Sequence, residues 1–487
     1  GWDITADSLE LYILNAHTRV PALFESEDYF NPIRYKKMTG LLGIHPVMSV
    51  VRFVRLIQSS EFNIMEMVEH YKIDPTLLNS AMLFLRQNGF VHFDKDSGEV
   101  KVLRKSFHYV MSNTKQKDYD NILISSINPG GPNASLNFET GEMEVSGVRR
   151  VFITPNQDVH ITPDENKLTL LKDKNMMFDG HINAGDFQYI GRDFIFNYDE
   201  YLVQMETIDS IRIQVDFHED STKHKTGLSN HITHTSGTLY INHPKNKAGV
   251  RRFAQYPYFV SDSEAIVYFD GPEVLNGAYD KSMYFVMPPF EMDSIDREEV
   301  GGIEFEGTFY AGGIVPPFEE TLRILPDHSL GFEHKIDPAG YALYGGEGIV
   351  YDSLSLSADG LKSSGKIDYR TSTVHSKDFV FYMDSVVAVG HEGVIREGQM
   401  DQASYPEAVL ADYHMLWLPY KDSMYIENRK EPFQFYNATA SLDGKANITA
   451  SGVFGSGTML SRGSKSISEE FHFSQHEYSG RHAEFQV

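Results

Sequence analysis

The sequence predicts a mainly β protein with one helical, winged-helix-like module close to its N-terminus. Three observations carry that expectation. Apolar residues recur at helical spacing between about residues 31 and 118, and alternate with polar ones almost everywhere afterwards. The 38 glycines and 27 tyrosines, with many Val, Ile, Thr and Phe, favour strands and turns. One stretch past the middle is written twice, as Ala358–Phe381 and Ala450–Phe473, with no catalytic signature in either copy.

Residues 1–30 mix strand and turn signals and form a β lead-in. HPVMSVVRFVRLIQ then has the spacing of a helix that ends before Ser59 and Ser60. FNIMEMVEHYK follows, and Asp74-Pro75 opens PTLLNSAMLFLRQN, with proline at a first helical position and Gly89 as the stop. FVHF, the turn DKDSG and EVKVL read as a small hairpin, and LRKSFHYVMSNTKQ as a closing helix. Three helices and a hairpin is the order of a winged helix-turn-helix, assigned to residues 31–118. Beyond it, KLTLL, SIRIQVDF, GTLYIN and AIVYFD alternate between Gly, Asn, Asp and Pro turns, the mark of an all-β region. It divides into residues 119–330 and 331–487.

The duplication has a constant internal gap. Ala358-Asp-Gly-Leu-Lys-Ser-Ser-Gly365 matches Ala450-Ser-Gly-Val-Phe-Gly-Ser-Gly457, 92 residues later. Each is followed, at the same distance, by serine, two charged residues and Phe-x-Phe: Ser376-Lys377-Asp378 before Phe379 and Phe381, Ser468-Glu469-Glu470 before Phe471 and Phe473. Upstream, Phe178-Asp179-Gly180 matches Phe305-Glu306-Gly307, and Asp193-Phe194-Ile195-Phe196 supplies another acidic Phe-x-Phe. Strand side chains alternate, so each Phe-x-Phe sets two rings on one face. Stacked rungs of this kind predict a solenoid, β-helix-like or an elongated open sheet. Tandem β-sandwiches from one ancestor are the alternative.

The run Gly346–Asp368 and the tail Phe471–Phe485 resemble rungs of the large, repetitive, β-rich cell-envelope proteins of Gram-negative bacteria, AsmA-like and β-helical ones among them. The resemblance spans residues 121–487 and is one of texture. It implies an extracytoplasmic scaffold, in the periplasm or at the cell surface, and carries over no functional residue.

Charge and cysteine narrow the functions. The balance of 43 basic and 68 acidic side chains, net −25, repels nucleic acid, acidic polysaccharide and anionic headgroups unless a local basic island receives them. The absence of cysteine excludes disulfides, thiolate metal sites and cysteine nucleophiles. No apolar run has the length of a membrane span. The first residues lack the basic and apolar regions of a signal peptide. Both ends stop mid-pattern, so the chain is expected to be part of a longer protein. The final rung, with Phe471, Phe473 and Phe485, should then be frayed, or paired edge to edge with another copy.

The helical module carries thirteen basic and eight acidic residues. Its would-be recognition helix offers only Thr76, Asn79, Arg86 and Gln87 to a nucleic acid, so nucleic acid is not an expected partner. His218, His224, His231, His234 and His243 crowd one region, but no zinc-protease spacing accompanies them and solvated loop histidines are the plainer account. Asp293–Glu299 and Asp216–Asp220 could bind calcium, yet neither has a Gly-centred calcium loop. The two tryptophans, Trp2 and Trp417, are thin for a sugar-stacking cleft. Asn133, Asn437 and Asn447 fit glycosylation acceptors at chance frequency. The sequence therefore assigns no catalytic, cofactor or metal residue. The expected function is a non-enzymatic extracytoplasmic scaffold or interaction protein that binds other envelope proteins or itself. The alternatives are a carbohydrate-active or glycan-binding protein using carboxylates on a β face, and a DNA-binding regulator.

Overall fold

A computed structural model of the chain describes residues 2–5, 21–38, 45–154, 158–219, 222–292, 303–481 and 484–486. Strand accounts for 52 % and helix for 14 %, so the protein is mainly β. The backbone divides into two units, the first of residues 1–211, 235–262 and 291–297, the second of 212–234, 263–290 and 298–487.

The helices lie in the first unit: α1 Pro32–Lys37, α2 Pro46–Ile57, α3 Ile64–Tyr71, α4 Pro75–Gln87 and α5 Arg104–Asn113. Their ends follow local chemistry. Proline occupies the first position of α1, α2 and α4, where no amide is needed. Asp74 accepts from the Thr76 and Leu77 amides, and Asn63 forms a reciprocal capping box with Glu66. Helix α2 ends at Gln58 in the left-handed conformation, and Gly89 at φ +73° turns the chain after α4. Val47, Val50, Val51 and Val54 of α2 and Leu78, Met82 and Leu85 of α4 share one core with Phe53, Phe90 and Tyr109. Strands Glu61–Asn63, Glu99–Val102 and Val91–Phe93 pair in that order beside them. A second small sheet, Trp2–Thr5, Ala22–Ser26 and Leu123–Ser126, brackets the helices in sequence.

The remaining described ladders, in each unit, are antiparallel and join strands close in sequence. The duplicated stretches fold as the same bulged hairpin. In Gly360–Tyr369 with Ser372–Phe381, Ser363 faces Phe379 and Gly365 faces Ser376, so Ser364 alone opposes Lys377 and Asp378. In Gly452–Ser461 with Ser464–Phe473, Ser456 alone opposes Glu469 and Glu470. The hairpin Met176–Ala184 with Phe187–Asn197 sets Asp179 against Arg192 and Asp193. The two charged residues of each match are thus a β-bulge.

A bulge leaves an amide without a ladder partner, and each hairpin supplies one. Ser376 Oγ accepts from the Asp378 amide at 3.0 Å, Ser468 Oγ from Glu470 at 3.1 Å, and Asp179 Oδ1 from Asp193 at 2.8 Å. The glycine opposite must be glycine. Gly365 sits at φ +149°, and a Cβ there would lie 2.7 Å from the Tyr351 carbonyl oxygen; Gly457 sits at φ +130°, 2.3 Å from that of Asp443. After each bulge the Phe-x-Phe rings turn inward: Phe194, Phe196, Phe379, Phe381, Phe471 and Phe473 are all buried. Phe305-Glu306-Gly307 departs from this, because its hairpin, Glu304–Ala311 with Phe318–Ile324, keeps register throughout.

In the last hairpin Phe473 stacks on Phe435, with ring centroids 4.4 Å apart, and Tyr436 Oη donates to the Glu477 carbonyl at 2.6 Å. Strands Tyr478–Arg481 and Glu484–Gln486 pair with Ser464–Phe473. The side chain of Phe485 lies outside the described residues.

Candidate functional site

The most strongly perturbed ionisable groups gather in the first unit, where the chain leaves strand Ala22–Ser26 and returns after α5. Asp28 and Asp120 meet because the two segments bridge there. The Asp120 amide donates to the Asp28 carbonyl at 3.0 Å and the Phe30 amide to that of Asp120 at 3.0 Å. Asp120 is fully buried; its Oδ2 accepts from Ser26 Oγ at 2.5 Å and its Oδ1 from the Ile122 amide at 2.9 Å. The Tyr198 hydroxyl lies 2.7 Å from Asp120 Oδ2 and 3.2 Å from Asp28 Oδ2. Lys117 Nζ is 2.5 Å from Asp28 Oδ1, and Lys174 Nζ 2.6 Å from Asp28 Oδ2 and 3.8 Å from the centre of the Tyr198 ring.

The electrostatics separate the two carboxyls. Burial drives Asp120 above the usual carboxylate range despite its hydrogen bonds from Ser26 and Tyr198. Burial also acts on Asp28, but hydrogen bonds from Lys117 and Lys174 outweigh it and hold that carboxyl well below the usual range. Tyr198 is pushed far up by burial and by the negative charge of Asp120 and Asp28. The Tyr198 hydroxyl faces both carboxyls as donor, with the shorter contact to Asp120.

Two further ties lie close by. Asp118 accepts from the Lys247 and Ala248 amides at 2.7 and 3.2 Å, fastening the loop after strand Ile232–Tyr240. Buried Glu25 holds Arg34 of α1 at 2.7 Å and Lys105 of α5 at 2.5 Å, and Arg34 reaches Asn88 Oδ1 after α4 at 2.9 Å. Perturbed groups of this kind mark catalytic sites in many enzymes. Here both Asp28 oxygens are already engaged within the protein, Oδ1 by Lys117 and Oδ2 by Lys174 and Tyr198. The geometry is that of a clamp between the helices and the sheet of the first unit. Sequence reasoning missed it, since residues 28, 117, 120, 174 and 198 share no spacing.

Carboxylates also line two open clefts on sheet faces. In the second unit Glu264, Glu306, Glu319 and Glu320 border about 630 Å3 beside Tyr310. Glu320 reaches His334 Nδ1 at 2.7 Å, and the Tyr341 hydroxyl lies 2.9 Å from the other ring nitrogen. Tyr268, Tyr284 and Tyr310 are register partners across three strands, with centroids 6.1 and 4.7 Å apart. In the first unit Glu144, Asp164, Glu165, Asp179 and Asp193 border about 580 Å3, with Arg192 and Lys167 among them.

The structure does not bring the clustered histidines together. His234 meets Tyr268 edge to face, and His243 Nδ1 accepts from the Lys245 amide at 3.1 Å while its ring packs on Phe253. Among the described residues no group of three or more histidines and carboxylates is placed to hold a metal ion. The side chains of His218 and His224, and the segments around Asp220 and Asp293–Glu299, lie outside the described residues. Trp417 is fully buried between Tyr344 and Tyr369, closed to any sugar. Asn133 is buried too, donating to Ser126 at 2.7 Å, which denies it to a glycosyltransferase. On α4, Asn79 and Ser80 donate back to the Pro75 and Thr76 carbonyls, and the turn between Phe93 and Glu99 exposes Asp94 and Asp96. Both features oppose a phosphate backbone.

Four histidines give a pH prediction. Burial lowers the pKa of His45, His108, His160 and His231 below their ordinary 6.5. The unfolded chain therefore takes up protons first, and stability present above that value is lost as pH falls below it. Thermal melts should show Tm declining from pH ~7 to ~5, with His108→Gln flattening the decline.

Compared with protein-family models, curated proteins and solved structures, the chain matches none.

Proposed function

We propose that the protein is a non-enzymatic scaffold or interaction protein of an extracytoplasmic compartment, as its likeness to β-rich envelope proteins implies. One observation carries this reading. The strongly shifted groups Asp28, Asp120 and Tyr198 are spent, with two lysines as ion-pair partners, on fastening the helices to a sheet, as in a part built to hold its shape. The lack of cysteine and the acidic balance agree with it. Helices α2, α3 and α4 and the hairpin after them have the order of a winged helix. In this reading the module is a packed platform for a partner protein, with α4 turned to the core through Leu78, Met82 and Leu85 rather than to DNA.

A second reading is favoured by the second unit's cleft, where Glu264, Glu306 and Glu319 stand beside half-buried Tyr310 at the end of a tyrosine ladder, as in a glycan-processing site. Incubation with a panel of neutral and acidic oligosaccharides separates the two. The scaffold reading expects no turnover. Turnover abolished by Glu306→Gln with Glu319→Gln would replace it with the enzymatic one.

A further inference from the structure

Between Ser221 and Ser261 the chain has no aspartate or glutamate, whereas about six would be expected at the chain's average. The same run holds Lys223, Lys225, Lys245, Lys247, Arg251 and Arg252. The loop from Ile241 to Pro257 carries four of these cations and lies in the first unit. It is rigidly made. Buried Asn246 accepts from the Arg251 amide at 3.0 Å and donates to the Arg251 carbonyl at 2.8 Å and to Asn242 Oδ1 at 3.1 Å. Asp118 secures the Lys247 and Ala248 amides from below.

That frame presents Lys245 and Arg251, both exposed, beside Val250, which is 60 % exposed. Aromatic rings run on from them. His243 packs on Phe253 at 5.4 Å, Phe253 on Tyr256 at 6.4 Å, Tyr256 on Tyr258 at 5.2 Å, and Tyr258 stacks on Tyr240 at 4.4 Å. His243 takes the Lys245 amide at Nδ1, so its neutral ring carries the proton on Nε2, a further donor at this surface.

We propose that this loop is a docking surface for an acidic polysaccharide, a glycan bearing carboxylates at intervals along its length. Cations held on a fixed backbone meet the carboxylates, and half-buried ring faces meet the apolar faces of the sugars. A nucleic acid strand fits less well. Successive bases need a run of parallel platforms, but only Tyr240 and Tyr258 are parallel, at 8°, the other pairs being inclined at 30°, 50° and 73°, whereas a sugar needs just one ring face. The net charge of −25 also opposes a partner charged at every nucleotide more than one charged sparsely. This inference goes beyond the scaffold reading and holds whether or not either cleft turns over a sugar.

Calorimetric titration of the full chain with an oligogalacturonate hexamer tests it, with a neutral cello-oligosaccharide and a thymidine oligonucleotide of similar length as other arms. The expected result is binding of the uronate alone, weakened roughly tenfold between about 50 and about 300 mM salt. Lys245→Glu with Arg251→Glu should weaken it at least about tenfold at low salt, with the circular dichroism spectrum unchanged. If that variant misfolds, Lys245→Gln with Arg251→Gln should still show a weaker, flatter salt response. No uronate binding, equal binding of the neutral glycan, tighter binding of the oligonucleotide, or undiminished binding by a folded variant would each overturn the proposal.

Discussion

Asp28→Ala should destabilise the protein by about 3–5 kcal/mol in denaturant unfolding, the cost typical of removing one partner from a buried ion pair. The loss is large because two lysines are orphaned together and a tyrosine loses one of two acceptors. Lys117 and Lys174 lose their carboxylate, and Lys174 is only 13 % exposed. Tyr198 keeps Asp120 but loses its second acceptor. The wild-type protein should show the acid side of the same effect. The folded pKa of Asp28 lies below its ordinary 3.8, so its stabilisation is present above that value and is lost as pH falls towards the lower folded pKa. Asp28→Asn should be milder, since it keeps an acceptor oxygen and the hydrogen bond to one lysine.

Gly365→Val should cost about 2–5 kcal/mol, combining backbone strain with overpacking. At φ +149° a β-branched residue is strained in any surroundings. Its Cβ would also meet Asp352 Oδ2 at 2.4 Å and the Tyr351 carbonyl oxygen at 2.7 Å, and the carbonyl belongs to backbone that cannot swing aside. Gly345→Ala is the matched control: φ is +77°, nothing lies within 4 Å of the new Cβ, and only strain of about 1–2 kcal/mol remains. Unfolding midpoints of the two variants separate strain from crowding. Similar losses for both would mean that the bulged hairpin yields where its glycine was judged indispensable.

Much of the fold was legible because it is written locally. Asp74-Pro75 and Gly89 mark the start of α4 and the turn after it, since caps and prolines act on their immediate neighbours. The change from helical to alternating period located the helices and the strands. The duplicated Ser, charged pair and Phe-x-Phe was visible as a pattern but not as a bulge. A bulge is defined by the residue across the ladder, and one strand does not say which residue that is. The clamp was illegible for a stronger reason. Asp28 and Tyr198 are 170 residues apart, and neither differs in sequence from an ordinary surface aspartate or core tyrosine. The histidine run drew attention by density, yet the informative feature of the same segment was the missing acids around it.

Asp28 and its lysines act as one clamp joining the helices to the sheet of the first unit. A double-mutant cycle of Asp28→Ala and Lys174→Met, read by denaturant unfolding, tests it most directly. The expected result is non-additivity of about 1–3 kcal/mol, the double variant being less damaged than the two single losses summed, because the second substitution removes a charge the first has stranded. Strictly additive losses would contradict it, leaving Asp28 and Lys174 as neighbours without mutual stabilisation.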